Sequence, residues 1–148
     1  MIGLALDEGM SSTTLIHHPA DGVTERVDAV ASLDERARRK AIEAPEAPGR
    51  YLEVQGAERT LVLPLGDEPV HIGRGRTSDL HLDENSVSRR HAILLPRPTG
   101  ARILDESSSN GTFVNGRRVQ QAELSDGDVI VIGRVVLRFL EVPAPRPS

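Results

Sequence analysis

The chain has 148 residues, 38% of them apolar and 27% charged, with a net charge of −4, proportions that suit about one soluble domain and a tail. It contains no cysteine, which excludes a disulfide framework and a cysteine-zinc site. No apolar run approaches the ~20 residues of a membrane-spanning helix, and Met1-Ile2-Gly3-Leu4-Ala5-Leu6-Asp7-Glu8 lacks the basic start of a signal peptide. A cytoplasmic monomer is therefore expected.

The charge is unevenly placed. Through Gly49 there are nine acidic and five basic residues, which leaves thirteen of each for the remainder. A neutral domain whose aromatic residues are Tyr51, Phe113 and Phe139 has neither the broad positive field nor the stacking platforms of a nucleic-acid binder. Any positive charge it uses must be concentrated in one spot.

Residues 1–49 do not alternate like strands. Ser11-Ser12-Thr13-Thr14 is a hydroxyl run that a kinase could reach, so Thr13 and Thr14 are candidate phosphoacceptors. His17 and His18 are adjacent, their side chains diverge, and no third ligand lies nearby, so no metal site is expected. Val23, Val27 and Val30 have helical spacing, and Ser32-Leu33-Asp34-Glu35 reads as a capping box that opens a helix over about 33–44. Asp34 with Arg38 and Glu35 with Arg39 are i,i+4 pairs, each contributing a few tenths of a kcal/mol. Pro45 ends the helix, and Pro45-Glu46-Ala47-Pro48-Gly49 reads as a linker. The apolar stripe is thin, so this segment is expected to be a solvated, mobile extension that buries little.

From Arg50 the pattern changes to short strands punctuated by turns. Leu52 and Val54 alternate with polar neighbours, then Leu61, Leu63 and Leu65. Val70 with Ile72 and Leu80 with Leu82 follow, then Ile93-Leu94-Leu95 and Ile103-Leu104. Phe113-Val114-Asn115-Gly116-Arg117-Arg118 is a hairpin signal, because Asn-Gly supplies the positive φ angles of a type I′ turn. Ser125-Asp126-Gly127-Asp128 turns into Val129–Ile132, and Val135–Leu140 is the last strand. Evenly spaced short strands without a long helical period mean an all-β sandwich over 50–142, with 143–148 as a Pro-rich tail. The predicted core is Leu52, Val54, Leu61, Leu63, Ile72, Leu80, Leu82, Ile93, Leu95, Ile103, Val114, Leu124, Ile130, Ile132, Leu137 and Phe139.

Between the strands lie Gly73-Arg74, Ser88-Arg89-Arg90-His91, Ser109-Asn110-Gly111 and the closing Gly127-Asp128 to Ile132-Gly133. In this order and spacing, over roughly Tyr51 to Leu140, they resemble the forkhead-associated (FHA) domain. The resemblance implies a sandwich of two antiparallel twisted sheets whose loops bind phosphothreonine in partner proteins. It assigns phosphate contacts to Arg74 and Ser88, with Arg89 and Ser109 nearby, and the hold on the peptide backbone to Asn110. It makes His91 an inter-loop brace and Gly111 a turn glycine. Gly73 leaves room for the ligand's approach, and Asp105 braces the loop that follows it. One departure is Ser86, where some members carry an arginine that reads acidic residues beyond the phosphothreonine.

The residue chemistry agrees with that assignment. A guanidinium fork matches two phosphate oxygens at once, a serine hydroxyl can take a third, and an amide can bridge a peptide N–H and C=O. Arg90, Arg117 and Arg118 read as solvated surface. A hydrolase triad of Ser88, His91 and Asp105 is disfavoured, since Asn85-Ser86-Val87-Ser88-Arg89 is no nucleophile elbow. Gly73-Arg74-Gly75 lacks the rest of a nucleotide fingerprint. The chain therefore reads as a non-enzymatic adaptor without cofactor, taking phosphothreonine proteins such as a Ser/Thr kinase or its substrates. The rival reading is a phosphate-independent interaction module.

Overall fold

In the computed structural model, residues 27–145 are described; Thr13, Thr14, His17 and His18 lie outside them. Eleven strands form two sheets. They are β1 (Gly49–Gln55), β2 (Thr60–Leu65), β3 (Val70–Gly73), β4 (Leu80–His81), β5 (Ala92–Pro96) and β6 (Ala101–Asp105). Then come β7 (Thr112–Val114), β8 (Arg117–Val119), β9 (Gln121–Leu124), β10 (Val129–Ile132) and β11 (Val135–Val142). One sheet runs β9-β6-β5-β3-β4 and the other β2-β1-β11-β10-β7-β8. The expected all-β sandwich is what the chain forms. Its pairs are antiparallel except β3 with β4, which run parallel with Ile72 opposite Leu80.

Inward residues of both sheets make one core. Leu52, Val54, Ile72, Leu82, Ile103, Ile130, Ile132, Leu137 and Phe139 are all at most 1% exposed. One strand is phased differently from the sequence reading. Ala92 and Leu94 face the core, whereas Ile93 and Leu95 are only half-buried. An unbroken apolar run carries no alternation to choose its face. Pairing chooses it, since Leu94 lies opposite Ile103 while Ile93 lies opposite the exposed His71.

The segment before β1 is also corrected. The helix α1 covers only Glu35–Lys40, and its N-cap is Asp34, whose carboxylate accepts from the Ala37 N–H at 2.9 Å. Ser32 is instead buried, with its hydroxyl on Ala29 O, in a 3-10 turn spanning Val30–Ser32. Arg39 does pair with Glu35 at 3.6 Å. Arg38, however, turns back to the carbonyls of Val30 and Leu33, and Asp34 faces His81 Nδ1 at 3.6 Å. The chain leaves the helix before Pro45, because Ile42 bridges Val62 at the open edge of β2 through two 2.8 Å backbone bonds.

This segment buries far more than a solvated extension would. Ala29, Val30, Leu33 and Ala37 are 0–9% exposed and join the main core. They seal the side of the sandwich between the two sheet edges at β2 and β4, where Leu33 bridges Leu82. Arg36 clamps the helix to the carbonyls of Ser78 and Asp79 at 3.0 and 3.2 Å. Beyond Ile42 the chain crosses Tyr51, whose hydroxyl donates to Ala47 O. That cover explains why Tyr51 and Val62 are buried although they point away from the core. Among the described residues no helix is long and apolar enough to cross a membrane.

Truncating a well-packed leucine generally costs about 2–5 kcal/mol. Leu33→Ala is therefore expected to lower the urea unfolding free energy by at least about 2 kcal/mol, whereas a solvated extension would give under about 0.5 kcal/mol.

Candidate functional site

Three loops meet at one end of the sandwich, those joining β3 to β4, β4 to β5 and β6 to β7. The first two lie against each other through backbone bonds. His91 N–H donates to Ile72 O, Arg74 N–H to Ser88 O and Gly75 N–H to Arg89 O, at 2.9–3.0 Å. A Cβ on Gly73 would sit 2.0 Å from Arg89 O, so only glycine permits this approach. Arg74 is exposed and is fixed by its Nε–H, which donates to Val87 O at 3.0 Å. Its terminal nitrogens have no hydrogen-bond partner among the described residues, so the fork faces outward.

His91 joins the second loop to the third. Its ring is fully buried; Nδ1 accepts from the Ser88 N–H at 3.0 Å and Nε2 lies 2.8 Å from Gly111 O. Since Nδ1 accepts, the proton resides on Nε2, which donates to that carbonyl. Burial pushes the imidazole pKa below its usual 6.5, although the Gly111 bond and Asp105 oppose the shift.

The third loop has its own anchor. Asp105 accepts from Ser108 N–H at 3.1 Å, from Ser108 Oγ at 2.5 Å and from Thr112 Oγ1 at 2.7 Å. Burial pushes this carboxyl up, but those bonds and His91 outweigh it and hold the pKa below 3.8. Ser108 Oγ in turn accepts from Gly111 N–H at 3.0 Å. Gly111 sits at φ +89°, a left-handed angle that suits glycine.

These anchors set the rim. Ser109 N–H donates to Ser88 Oγ at 3.0 Å, so the serine hydroxyl stands beside the third loop. Asn110 is exposed and donates through Nδ2 to Ser86 O at 2.8 Å. Arg74, Ser88 and Asn110 are thus brought to one rim, and Arg89 and Ser109 are exposed next to it. The triad geometry is missing. His91 meets the Ser88 backbone rather than its hydroxyl, and Asp105 is bonded to Ser108 and Thr112.

Two features escaped the sequence reading. Ser86 belongs to a polar network in which its hydroxyl donates to Glu84 and accepts from Arg134 N–H at 2.8 Å, while Arg134 Nη2 pairs with Glu84 at 3.0 Å. Burial pushes Glu84 up, but the Ser86 bonds and Arg134 pull it net below 4.5. Nothing in Gly133-Arg134 announced this. The second is Arg118, whose guanidinium packs against Gly111; counting the hairpin back from Asn115-Gly116 would have found it. Arg90 pairs with Glu106 at 3.3 Å. No group of side chains among the described residues could hold a metal ion.

A cavity of about 320 Å³ lies instead between α1, β2 and the Val70 end of β3. It is at the opposite end of that strand from Gly73, so the rim and the cavity are separate places.

The fold and the rim define an all-β interaction module, with its polar recognition loops gathered at one end. A family model for the FHA domain matches residues 70–133. The glycogen accumulation regulator GarA of Mycolicibacterium smegmatis is 36% identical over 118 residues, covering 69% of this chain and 75% of GarA. The ABC transporter ATP-binding/permease protein Rv1747 of Mycobacterium tuberculosis is 50% identical over 79 residues, which are 53% of this chain but only 9% of the transporter. A solved FHA structure, from work on phosphothreonine-dependent FHA domain interactions, superposes with a TM-score of 0.55 at 33% identity. The match covers 67% of this chain and 98% of that one. The chain belongs to the FHA domain family.

The His91 bridge has a pH signature. A histidine held neutral by the fold takes up its proton more readily unfolded. Stability is therefore full above pH 6.5 and falls as pH drops from there toward the lower folded value. Asp105 adds a loss of the same sign below pH 3.8. Urea midpoints measured across pH 7 to 5 are expected to decline for the native chain and to flatten in His91→Asn, whatever its absolute stability.

Proposed function

We propose that this chain is a phosphothreonine-peptide-binding adaptor that acts in the cytoplasm downstream of Ser/Thr kinases. In this reading residues 50–142 are its FHA domain, with the preceding residues as an extension. The observation that carries it is the placement of an outward guanidinium fork, a hydroxyl and a carboxamide on one rim fixed from beneath by His91. Arg74 takes two phosphate oxygens, Ser88 takes the third with Arg89 and Ser109 alongside, and Asn110 turns from Ser86 to the peptide backbone. A phosphothreonine presents about −1.5 to −2 charges and three acceptor oxygens, which this set of donors matches. The solved relative from phosphothreonine-dependent interactions supports the same ligand class. Both ring nitrogens of His91 are committed to backbone groups, which suits binding rather than turnover.

Charge-assisted hydrogen bonds contribute about 1.5–3 kcal/mol each. Two to four of them, less the ordering cost, give roughly micromolar affinity, or about −8 kcal/mol. Arg74→Ala is expected to weaken phosphothreonine-peptide binding on the order of 100-fold by fluorescence anisotropy. Binding that survives both this variant and phosphatase treatment would favour a phosphate-independent module. Because the second phosphate pKa is about 6, affinity should also fall as pH drops below that value.

The extension supplies a regulatory reading. Phosphorylated Thr13 or Thr14 would occupy the protein's own site. Val27 N–H donates to Arg134 O at 3.1 Å, and Arg134 N–H meets Ser86 beside Asn110, so the chain enters the described fold at the rim. Twelve residues lie between Thr14 and Val27, so the thirteen steps from one to the other span at most ~45 Å when extended. A tether of that length favours intramolecular capture over a micromolar partner. The Thr13/Thr14-phosphorylated protein should bind external phosphopeptide at least tenfold more weakly than the unmodified form, roughly the competition of a millimolar local ligand. Equal affinity would remove the self-occupation reading and leave the phosphopeptide reading intact.

A further inference from the structure

The loop joining β3 to β4 carries an exposed hydroxyl that neither the fold nor the phosphate contacts use. Ser78 N–H donates to Gly75 O at 3.1 Å, a tight turn with Arg76 and Thr77 at its tip. Both are exposed. Ser78 is only 6% exposed and turns its hydroxyl toward Arg89 O at 3.5 Å. The Thr77 hydroxyl, in contrast, has no hydrogen-bond partner among the described residues. Thr77 is also the one serine or threonine of the chain with two basic residues among the three before it, Arg74 and Arg76.

The surroundings of that tip suit an added anion. Thr77 lines an open cleft of about 350 Å³ with His71, Arg90 and Glu106. The loop's own acid, Asp79, is turned back to the strand, where it accepts from His71 N–H at 2.9 Å. Arg76 makes no ion pair among the described residues. Arg90 meets Glu106 at 3.3 Å, but its side chain is 82% exposed, and so open a pair is easily exchanged for another. A phosphate on Thr77 would bring about −1.5 to −2 charges and three acceptor oxygens into this cleft. Opposite arginines, such a group forms roughly one to three charge-assisted hydrogen bonds, which a single carboxylate cannot match. Arg74 stands three residues before Thr77, at most ~11 Å along the chain. At that range a phosphate on the loop repels one arriving at the rim with little intervening screening.

We propose that Thr77 is a phosphoacceptor for an arginine-directed protein kinase, and that its phosphate, held by Arg76 and Arg90, weakens phosphothreonine-peptide binding at the adjoining rim. In the transfer, Thr77 Oγ1 gives up its proton and bonds to the γ-phosphorus of ATP, while the bond from that phosphorus to the oxygen of ADP breaks. The kinase and ATP come from outside the chain. The binding half of the inference rests on the phosphopeptide reading and adds a regulatory site within the recognition loop itself. It differs from self-occupation by the extension, because the loop phosphate acts by charge beside the rim and needs no tether.

The test has two arms on the full chain. In the first, the protein is incubated with ATP and cyclic-AMP-dependent protein kinase as an arginine-directed probe, and the sites are mapped by mass spectrometry. Thr77 should be modified in the native chain, and more slowly in Arg76→Gln. In the second, phosphothreonine is installed at position 77 during expression. Fluorescence anisotropy with a phosphothreonine peptide should then show affinity about fivefold to tenfold below that of the unmodified protein, restored by phosphatase. Thr77→Val should bind within about twofold of native. A ³¹P titration of the installed phosphate should give a second pKa below its usual value of about 6, and Arg90→Gln should move it back up. No phosphate at Thr77, equal affinity with and without it, or a ³¹P titration that Arg90→Gln leaves unchanged would each overturn the proposal. Failure of the broader reading would look different, since the unmodified protein would not then distinguish the phosphopeptide from its unphosphorylated form. The mapping and the ³¹P titration would still decide whether Thr77 is modified and held.

Discussion

The rim depends on one buried ring. A neutral imidazole is a donor at one nitrogen and an acceptor at the other. His91 can therefore join a backbone N–H on the second loop to a backbone C=O on the third. Because the ring is wholly buried, losing either bond would strand a polar group away from water, a cost of about 1–3 kcal/mol. The second loop is tied to the first through Arg74 N–H and Ser88 O, so the ring holds all three in register. Every group proposed to touch a ligand is one or two residues from that lattice. Those groups are arranged before any ligand arrives, which reduces the ordering cost of binding.

Much of this was legible in the sequence because glycines and short polar residues are demanded by backbone geometry. Gly73 is needed where a Cβ would strike Arg89 O, and Asn115-Gly116 takes positive φ at both positions. Such residues read the same way before and after folding. The phase of β5 was not legible, because Ala92-Ile93-Leu94-Leu95 is apolar throughout and only cross-strand pairing decides which pair points inward. Nor were the partners of Ser86 and Arg134, which are 48 residues apart in the chain and share one hydrogen bond. Long-range polar contacts leave no periodic trace.

The extension was misread for a related reason. Its buried face consists of Ala29, Val30, Leu33 and Ala37, two of them alanines, and so looks weak by hydropathy. Small residues nonetheless let a short helix lie close against the edges of both sheets, where its contribution comes from the neighbours it covers as much as from its own side chains. Ile42 completes the seal by occupying backbone groups of β2 that would otherwise form an open strand edge. The extension is thus both a lid on the core and the anchor for whatever precedes Val27.

The charge balance after Gly49 bears on how a neutral domain within a chain of net charge −4 can recognise an anion. With thirteen acidic and thirteen basic residues after Gly49, no long-range field draws in phosphorylated partners, and selectivity must come from a few charges at contact distance. Arg74 is held by Val87 O and Arg118 rests on Gly111; neither makes an ion pair with a carboxylate among the described residues, while Arg90 and Arg134 do. These four arginines thus fall into two pairs, Arg90 and Arg134 neutralised in place and Arg74 and Arg118 left without a carboxylate among the described residues. A ligand that pairs with Arg74 breaks no existing ion pair, so the Coulombic gain is offset only by desolvation and by ordering the peptide. Recognition of this kind is local, and it explains why the rim can be selective without a deep cavity beneath it.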